Sequence, residues 1–317
     1  MRILVVGAGA IGSVLGGFLA QAGHDVVLLG RPWHLDEVDR AGLQLSGLWG
    51  EHLVRELTLA TRAADVPATA PFDWLFVCVK AHQTAEAAAL LPGWIGPETL
   101  VCAFQNGLGN YETLVGAVPP ARVALGRVIF GAELQPGRVR VTVCADEVLI
   151  GAPDARFPRE RAAQLAAALQ EAGIPSRASS TIMTALWAKV LYNCALNGLS
   201  TVLEVPYGRL LHHPLAPRVM RGVIEEAYRV AGARGIALEP ATASAYLELL
   251  LSRLIPDTAA HHPSMLQDLR RGRPTEIDAL NGALVRLGRE AGVDTPMNAL
   301  VARLVHAQEA MLGVPSG

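Results

Sequence analysis

The feature that most constrains the fold is a glycine-rich stretch directly after the first apolar run of the chain. Residues 3–6 are continuously apolar, as in a parallel strand that is covered on both faces. Gly7, Gly9 and Gly12 follow at once, and an apolar helical segment continues to Gln21. The first glycine would permit a tight turn, the second would let backbone approach a pyrophosphate, and the third would allow close helix–strand packing. The stretch therefore predicts a dinucleotide-binding turn, with cofactor contacts from Gly7, Ala8, Gly9, Ala10, Ile11 and Gly12.

The same stretch also resembles a signal peptide or a membrane span, because Arg2 precedes a long run without charged side chains. Six glycines interrupt this run, at positions 7, 9, 12, 16, 17 and 23. Glycines at this density favour a tight turn and a closely packed helix over a lipid-facing span. We therefore expect no membrane segment here.

The end of the second predicted strand indicates which dinucleotide binds. An NAD site usually has a carboxylate there, which accepts hydrogen bonds from the ribose hydroxyls. This chain has Gly30 and Arg31 instead. A cation at this position can pair with the 2′-phosphate of NADP(H), so we predict NADP(H) as the cofactor. The alternative is that Arg31 is a solvated residue beyond the strand.

Three further apolar runs extend the predicted parallel sheet, at residues 74–80, 100–107 and 122–132. Ligands of such sheets bind outside the carboxyl ends of the strands, where Lys80, Gln105 and Asn106 stand. Alternatively, Lys80 is a solvated turn residue, and Asn106 with Gly107 forms an ordinary tight turn. Residues 138–152 predict a β-hairpin or edge strands that close this domain.

From residue 180 onward the hydrophobic pattern is almost wholly helical. The periodic segments are residues 181–203, 215–235, 239–254, 259–269, 275–291 and 296–312. We predict an α/β fold, with a Rossmann-type doubly wound parallel sheet followed by an all-helical second domain. Residues 1–179 would form the NADP-binding domain, and residues 180–317 a helical domain for substrate binding and dimerisation.

Composition excludes several classes of partner. The net charge is only −2 and no acidic or basic block occurs, so neither a nucleic acid nor an anionic membrane is expected as a partner. The four cysteines form no C-x-x-C pair, which is typical of reduced core residues in a cytoplasmic protein. The adjacent histidines at 212–213 and 261–262 would point to different helix faces, without a completing carboxylate or cysteine. We therefore predict no metal site.

One helix of the second domain carries an unusual polar stripe. Lys189, Asn193 and Asn197 interrupt an apolar segment at intervals of four, which places them on one helical face. An amine and two amides on this face would suit a small, oxygen-rich substrate. Alternatively, Lys189 extends to solvent and the asparagines cap neighbouring loops.

Five motifs are spread over nearly the full length of the chain: "VGAGAIG" with Arg31, "VKAHQT", "QNGLGN", "LWAKVLYNCALNGLSTV" and "SMLQDLRRGRPTEIDALNG". Through these motifs the chain resembles the ketopantoate reductases. The resemblance implies NADPH-dependent reduction of 2-dehydropantoate, a 2-oxo acid, to the 2-hydroxy acid pantoate, a step of pantothenate synthesis. It also implies that Lys189 is the general acid.

The resemblance further implies roles for other residues. Asn193, Asn197 and Ser264 would contact the substrate. Glu276 matches an acidic residue of the cleft, assigned here to both the catalytic set and the cofactor contacts. The remaining implied contacts are Asn106 with nicotinamide and substrate, and Lys80 and Ala132 along the cofactor.

Alternatives remain for two of these residues and for the function. Ser264 could cap a helix after Pro263, and Glu276 could be a first-turn acid favoured by the helix dipole. Asp278 competes with Glu276 for the functional role. The chain also departs from the family, with Gly198 where Pro is frequent and Tyr207 where a substrate-binding Asn is expected. It could therefore reduce a different branched 2-oxo acid, or act as a non-catalytic NADPH-binding sensor. The last helices are apolar on more than one side, which favours a homodimer.

Overall fold

The computed structural model describes residues 1–67 and 69–314. The chain divides into two compact units. The first comprises Met1–Gln105 and Asn110–Ile182, and the second comprises Asn106–Gly109 and the chain from Met183 onward. The roles assigned to residues 1–179 and 180–317 stay a prediction.

All strands of the described residues lie in the first unit. They are β1 (Arg2–Val6), β2 (Asp25–Leu29), β3 (Leu43–Gly47), β4 (His52–Val54), β5 (Thr58–Ala60), β6 (Trp74–Val77), β7 (Leu100–Ala103), β8 (Val123–Arg127), β9 (Phe130–Gln135), β10 (Arg138–Cys144), β11 (Val148–Gly151) and β12 (Ser176–Ala178). The α-helices of this unit are α1 (Ala10–Gln21), α2 (Pro32–Ala41), α3 (Thr84–Leu90), α4 (Asn110–Val115) and α5 (Arg159–Glu171).

An eight-stranded sheet forms the centre of the first unit, in the order β12-β11-β8-β7-β6-β1-β2-β5. The six strands from β8 to β5 are mutually parallel, whereas β11 runs antiparallel to β8 and pairs in parallel with β12. Residues 3–6 of β1 are at most 3% exposed, which explains their continuous apolar character. The predicted parallel α/β architecture of this half is confirmed.

A second, four-stranded sheet has the order β4-β3-β10-β9 and was not predicted. The single strand predicted over 122–132 is wrong, because β8 finds its partners in the large sheet and β9 pairs with β10 in the small one. The prediction of a hairpin or edge strands over 138–152 is also wrong. Strand β10 lies between β3 and β9, and β11 lies between β8 and β12, so each is an inner strand of a different sheet.

The second unit is helical, as predicted. Its α-helices are α6 (Ile182–Leu203, whose first residue belongs to the first unit), α7 (Leu215–Ala233), α8 (Ala243–Leu249), α9 (Ile255–Asp257), α10 (Ser264–Arg270), α11 (Asn281–Ala291) and α12 (Pro296–Met311). No helix of the described residues combines the length and the apolar character needed to cross a bilayer.

Three predicted helices differ in their bounds. The helix predicted over 239–254 begins only at Ala243, where the Thr242 hydroxyl caps it by accepting the Ala245 amide at 3.2 Å. The helix predicted over 259–269 begins after Pro263. The one predicted over 275–291 begins at Asn281, because Leu280 has a non-helical backbone (φ −107°, ψ −104°) that separates it from a preceding 3-10 turn.

Candidate active site

The glycine turn after β1 uses each of its glycines for a different reason. Gly7 has φ +103°, and a Cβ there would lie 2.7 Å from the backbone nitrogen of Val79. A Cβ on Gly12 would overlap the Gly7 carbonyl oxygen. A Cβ on Gly9 would have no protein atom within 4 Å, so the space beside it is open. This open space lies at the N-terminus of α1, where unpaired amides and the helix dipole favour an anion, and the turn therefore fits a pyrophosphate.

The end of β2 is packed against the same turn. A Cβ on Gly30 would lie 2.7 Å from that of Ala8, so a glycine here lets the turn approach the strand. Arg31 is exposed and immediately precedes α2. Within the part of the chain that the structure describes, no carboxylate is paired with it. A cation in this position fits the 2′-phosphate of NADP(H).

Beyond the ends of β6 and β7 lies a chain of three buried polar side chains, of which only Gln105 was predicted from the sequence. Gln105 Nε2 donates to Thr84 Oγ1 at 2.6 Å, and the Thr84 hydroxyl lies 2.8 Å from Asn110 Oδ1. Gln105 therefore anchors α3 and α4. Lys80 is half-buried and directly precedes the 3-10 turn Ala81–Gln83. Ala132 lies in β9, where it is half-buried opposite Val141.

In the second unit, two predicted site residues meet. The ammonium of Lys189 donates to Asn106 Oδ1. The segment that carries Asn106 is held by a hydrogen bond from the Leu108 amide to the Ala279 carbonyl at 2.8 Å. Gly107 has φ +88°, and a Cβ there would overlap that same carbonyl. This close approach fixes the side-chain amide of Asn106 opposite the amine of Lys189, although Asn106 and Lys189 are 83 positions apart.

The other two residues of the stripe have different surroundings. Asn193 is half-buried, whereas Asn197 is 5% exposed and its Oδ1 accepts the hydroxyl of Tyr207. The Tyr207 ring packs edge-on against Tyr192, with centroids 5.9 Å apart, and lies 5.2 Å from the ring of His261. Burial raises the pKa of the Tyr207 phenol, so the hydroxyl stays protonated and donates. Tyr207, which stands where the family has an asparagine, thus donates a hydrogen bond directly to the Asn197 side chain.

Glu276 and Asp278 differ sharply in environment. Glu276 is 8% exposed and precedes the 3-10 turn Ile277–Ala279, so the alternative of a first-turn acid on an α-helix is wrong. The Asp278 side chain is 77% exposed, and its Oδ1 lies 3.0 Å from His306 Nε2. Of the two carboxylates, Glu276 is therefore the better candidate for a site that excludes water.

Ser264 is exposed and is the first residue of α10. The cap position is occupied by Pro263 and no side chain caps the helix, so the capping alternative for Ser264 is wrong. Among the described residues, no three or more His, Cys, Asp or Glu side chains gather as a metal site would require.

Comparisons with known proteins agree along the whole chain. The family model "Ketopantoate reductase PanE/ApbA" matches residues 3–155, and "Ketopantoate reductase PanE/ApbA C terminal" matches residues 181–309. A 2-dehydropantoate 2-reductase of Aquifex aeolicus is 39% identical over 310 residues, which cover 98% of this chain and 97% of the relative.

Solved structures give the same result. A PanE/ApbA family ketopantoate reductase from Ralstonia eutropha JMP134 is 34% identical, with a TM-score of 0.87 over 99% of this chain and 100% of that one. A D-mandelate dehydrogenase, solved with NADH and anilino(oxo)acetate, is 29% identical with the same TM-score and the same coverage. The protein is thus an oxidoreductase that belongs to the ketopantoate reductase family.

Proposed function

We propose that this protein reduces 2-dehydropantoate to pantoate with NADPH, as a step of pantothenate synthesis. The observation that carries the proposal is the hydrogen bond from Lys189 to Asn106, within a chain whose relatives are named 2-dehydropantoate 2-reductases. When bound, NADPH would supply the hydride for the carbonyl carbon of the substrate. Reduction is completed by one proton on the carbonyl oxygen.

Lys189 would provide this proton. Negative charge develops on the carbonyl oxygen as the hydride arrives, and an ammonium can both stabilise that charge and protonate it. Asn106 accepts from the ammonium and cannot take its proton, so it orients Lys189 without neutralising it. Water would then return a proton to the amine. Glu276 would orient the amine or a substrate hydroxyl, and Asn193, Asn197 and Ser264 would hold the substrate.

NADP(H) rather than NAD(H) is supported by the end of β2. Arg31 would pair with the 2′-phosphate, and Gly7–Gly12 would hold the pyrophosphate through backbone amides. Lys80, Ala132 and Glu276 would complete the cofactor contacts.

A second candidate is the reduction of a different branched 2-oxo acid. It is favoured by Tyr207, whose hydroxyl already occupies Asn197 Oδ1 and whose ring adds bulk. The structural similarity to a D-mandelate dehydrogenase makes a wider range of 2-oxo acids worth testing. A non-catalytic NADPH sensor would bind the cofactor without any turnover.

The decisive experiment follows NADPH absorbance with 2-dehydropantoate, beside a panel of branched and aromatic 2-oxo acids and NADH controls. Lys189→Ala should lower kcat by about 10²–10⁴-fold and leave the Kd for NADPH unchanged. Lys189→Arg is the matched control, because a guanidinium keeps the charge but does not release a proton near neutral pH. It should recover little of the lost rate.

Each result has a distinct meaning. Full activity of Lys189→Arg would show that only the charge matters and would contradict the general-acid role. Preferred turnover of another acid would establish the second candidate. Binding of NADPH without turnover of any acid would contradict the enzymatic proposal as a whole. A homodimer also stays a prediction, which sedimentation velocity can test.

A further inference from the structure

His34 is a fully buried histidine in the first turn of α2. Its side chain is 0% exposed and uses both ring nitrogens. Nδ1 accepts the Gly137 amide at 3.1 Å, and Nε2 lies 3.0 Å from Ser13 Oγ. Both partners are distant in sequence, so the ring joins three separate segments.

These contacts determine the tautomer. A backbone amide can only donate, so Nδ1 must be the unprotonated nitrogen. Burial lowers the pKa of His34, with a smaller opposing effect from the backbone of Gln135, so the ring is neutral near pH 7. The remaining proton of the neutral imidazole is then on Nε2, which donates to the Ser13 hydroxyl.

The first segment that His34 holds is the pyrophosphate turn. Ser13 directly follows Gly12 in α1, and its amide donates to the Gly9 carbonyl at 2.9 Å. A hydrogen bond from His34 to Ser13 therefore fixes the rotation of the first turn of α1. That rotation sets the direction of the amides at the N-terminus of the helix.

The second segment is the one that carries Arg31. The amides of His34 and Leu35 both donate to the Arg31 carbonyl, each at 3.1 Å. The backbone of Arg31 is thus tied to the first turn of α2, which also carries the His34 ring. The third segment is the turn between β9 and β10, where Gly137 anchors the ring from the other side.

We propose that His34 is a positioning residue for the dinucleotide, which holds the pyrophosphate turn and Arg31 at a fixed separation and so favours NADPH over NADH. The inference rests on the proposed use of NADPH. The pyrophosphate and the 2′-phosphate of one cofactor are joined through a single ribose, which limits the distance between them. The His34 ring belongs to α2, which follows Arg31, and bonds to Ser13 of α1, so it sets the matching distance in the protein. A residue that only filled space would affect stability and leave the cofactor preference unchanged.

The test measures Kd for NADPH and for NADH on the full chain by quenching of protein fluorescence. His34→Asn keeps an acceptor for Gly137 and loses the donor to Ser13, and Ser13→Ala removes the acceptor alone. Arg31→Ala shows the preference that remains without the cation. His24→Asn is the control, since His24 lies at the amino end of β2, beside the chain terminus.

We expect His34→Asn to raise the Kd for NADPH about tenfold or more, and that for NADH less, so that the preference falls toward that of Arg31→Ala. Combined with Arg31→Ala, it should lower the preference no further, because both changes remove the same contact. Ser13→Ala breaks the same hydrogen bond as His34→Asn, so it should lower the preference for NADPH in the same direction. His24→Asn should change the affinity for neither cofactor.

Other outcomes overturn the inference. Wild-type affinity in a folded His34→Asn variant would do so, as would equal weakening of both cofactors with the preference intact. If His34→Asn does not fold, unchanged affinities in folded Ser13→Ala would contradict the link through Ser13. If the wild-type chain itself binds no NADPH, the proposed function fails. The wild type alone reveals that failure, whereas failure of the His34 inference appears only in the variants.

Discussion

Gly9 and Gly12 stand three residues apart in one turn, yet substitutions there should fail in different ways. Gly9 has φ −86°, which any residue adopts, and open space where its side chain would lie. Gly9→Ala should therefore fold normally and lose NADPH affinity, because its methyl group fills the space proposed for the pyrophosphate. Gly12→Ala should lower the free energy of unfolding by about 1–3 kcal/mol, since its Cβ overlaps the Gly7 carbonyl and lies 2.9 Å from Val5 Cγ1.

Urea unfolding and NADPH titration of the two variants distinguish these effects. The control is Gly23→Ala, at the far end of α1, where a Cβ would also meet nothing within 4 Å but φ is +86°. It should cost some stability through backbone strain and leave the affinity unchanged. A Gly9→Ala variant with wild-type affinity would contradict the placement of the pyrophosphate.

At the scale of elements, a histidine joins α12 to the segment that carries Glu276. His306 Nδ1 lies 2.9 Å from Glu309 Oε2, and Nε2 lies 3.0 Å from Asp278 Oδ1. Glu309 Oε1 also accepts the Thr275 amide at 2.8 Å. Burial opposes the charged ring, but hydrogen bonds to Glu309 and Asp278 outweigh this effect and raise the pKa of His306 above its ordinary 6.5. The folded chain thus binds this proton more tightly than the unfolded chain.

This difference predicts a pH-dependent stability. Because the pKa is raised on folding, the stabilisation from His306 is complete below about pH 6.5 and is lost as the pH rises through the folded-state pKa. Urea unfolding of wild type and His306→Gln from about pH 5 to about pH 9 should show the largest difference at the acid end. The difference should be modest, since the ring is 46% exposed. A difference that grows with pH would contradict the assignment.

For the whole molecule, cofactor binding should be visible as stability. A ligand that binds only the folded chain adds about 2.7 kcal/mol at a concentration 100-fold above its Kd. NADPH should therefore raise the thermal midpoint of the wild type clearly more than NADH does at the same concentration. In Arg31→Ala the two shifts should become similar, as the 2′-phosphate loses its cation. A larger shift with NADH in the wild type would contradict the choice of NADP(H).

The predictable parts of the molecule are those whose physical cause lies within a few residues. The glycine turn follows from steric demands between neighbouring residues of one strand, turn and helix. The position of Arg31 follows from the end of the second strand of this strand–turn–helix–strand segment. The stripe of Lys189, Asn193 and Asn197 follows from the helical period alone. The fold class and the family membership were accordingly predicted from the sequence and are confirmed.

Other features depend on partners far along the chain, and only the tertiary structure decides them. Strands β8 and β9 read as one apolar run, but they separate because each finds backbone partners in a different sheet. The bonds of Lys189 to Asn106, of Tyr207 to Asn197 and of His34 to Ser13 likewise arise from packing that no local pattern encodes. Local sterics and periodicity thus determined the glycine turn and the helix that carries Lys189, whereas tertiary contacts decided which polar groups orient them.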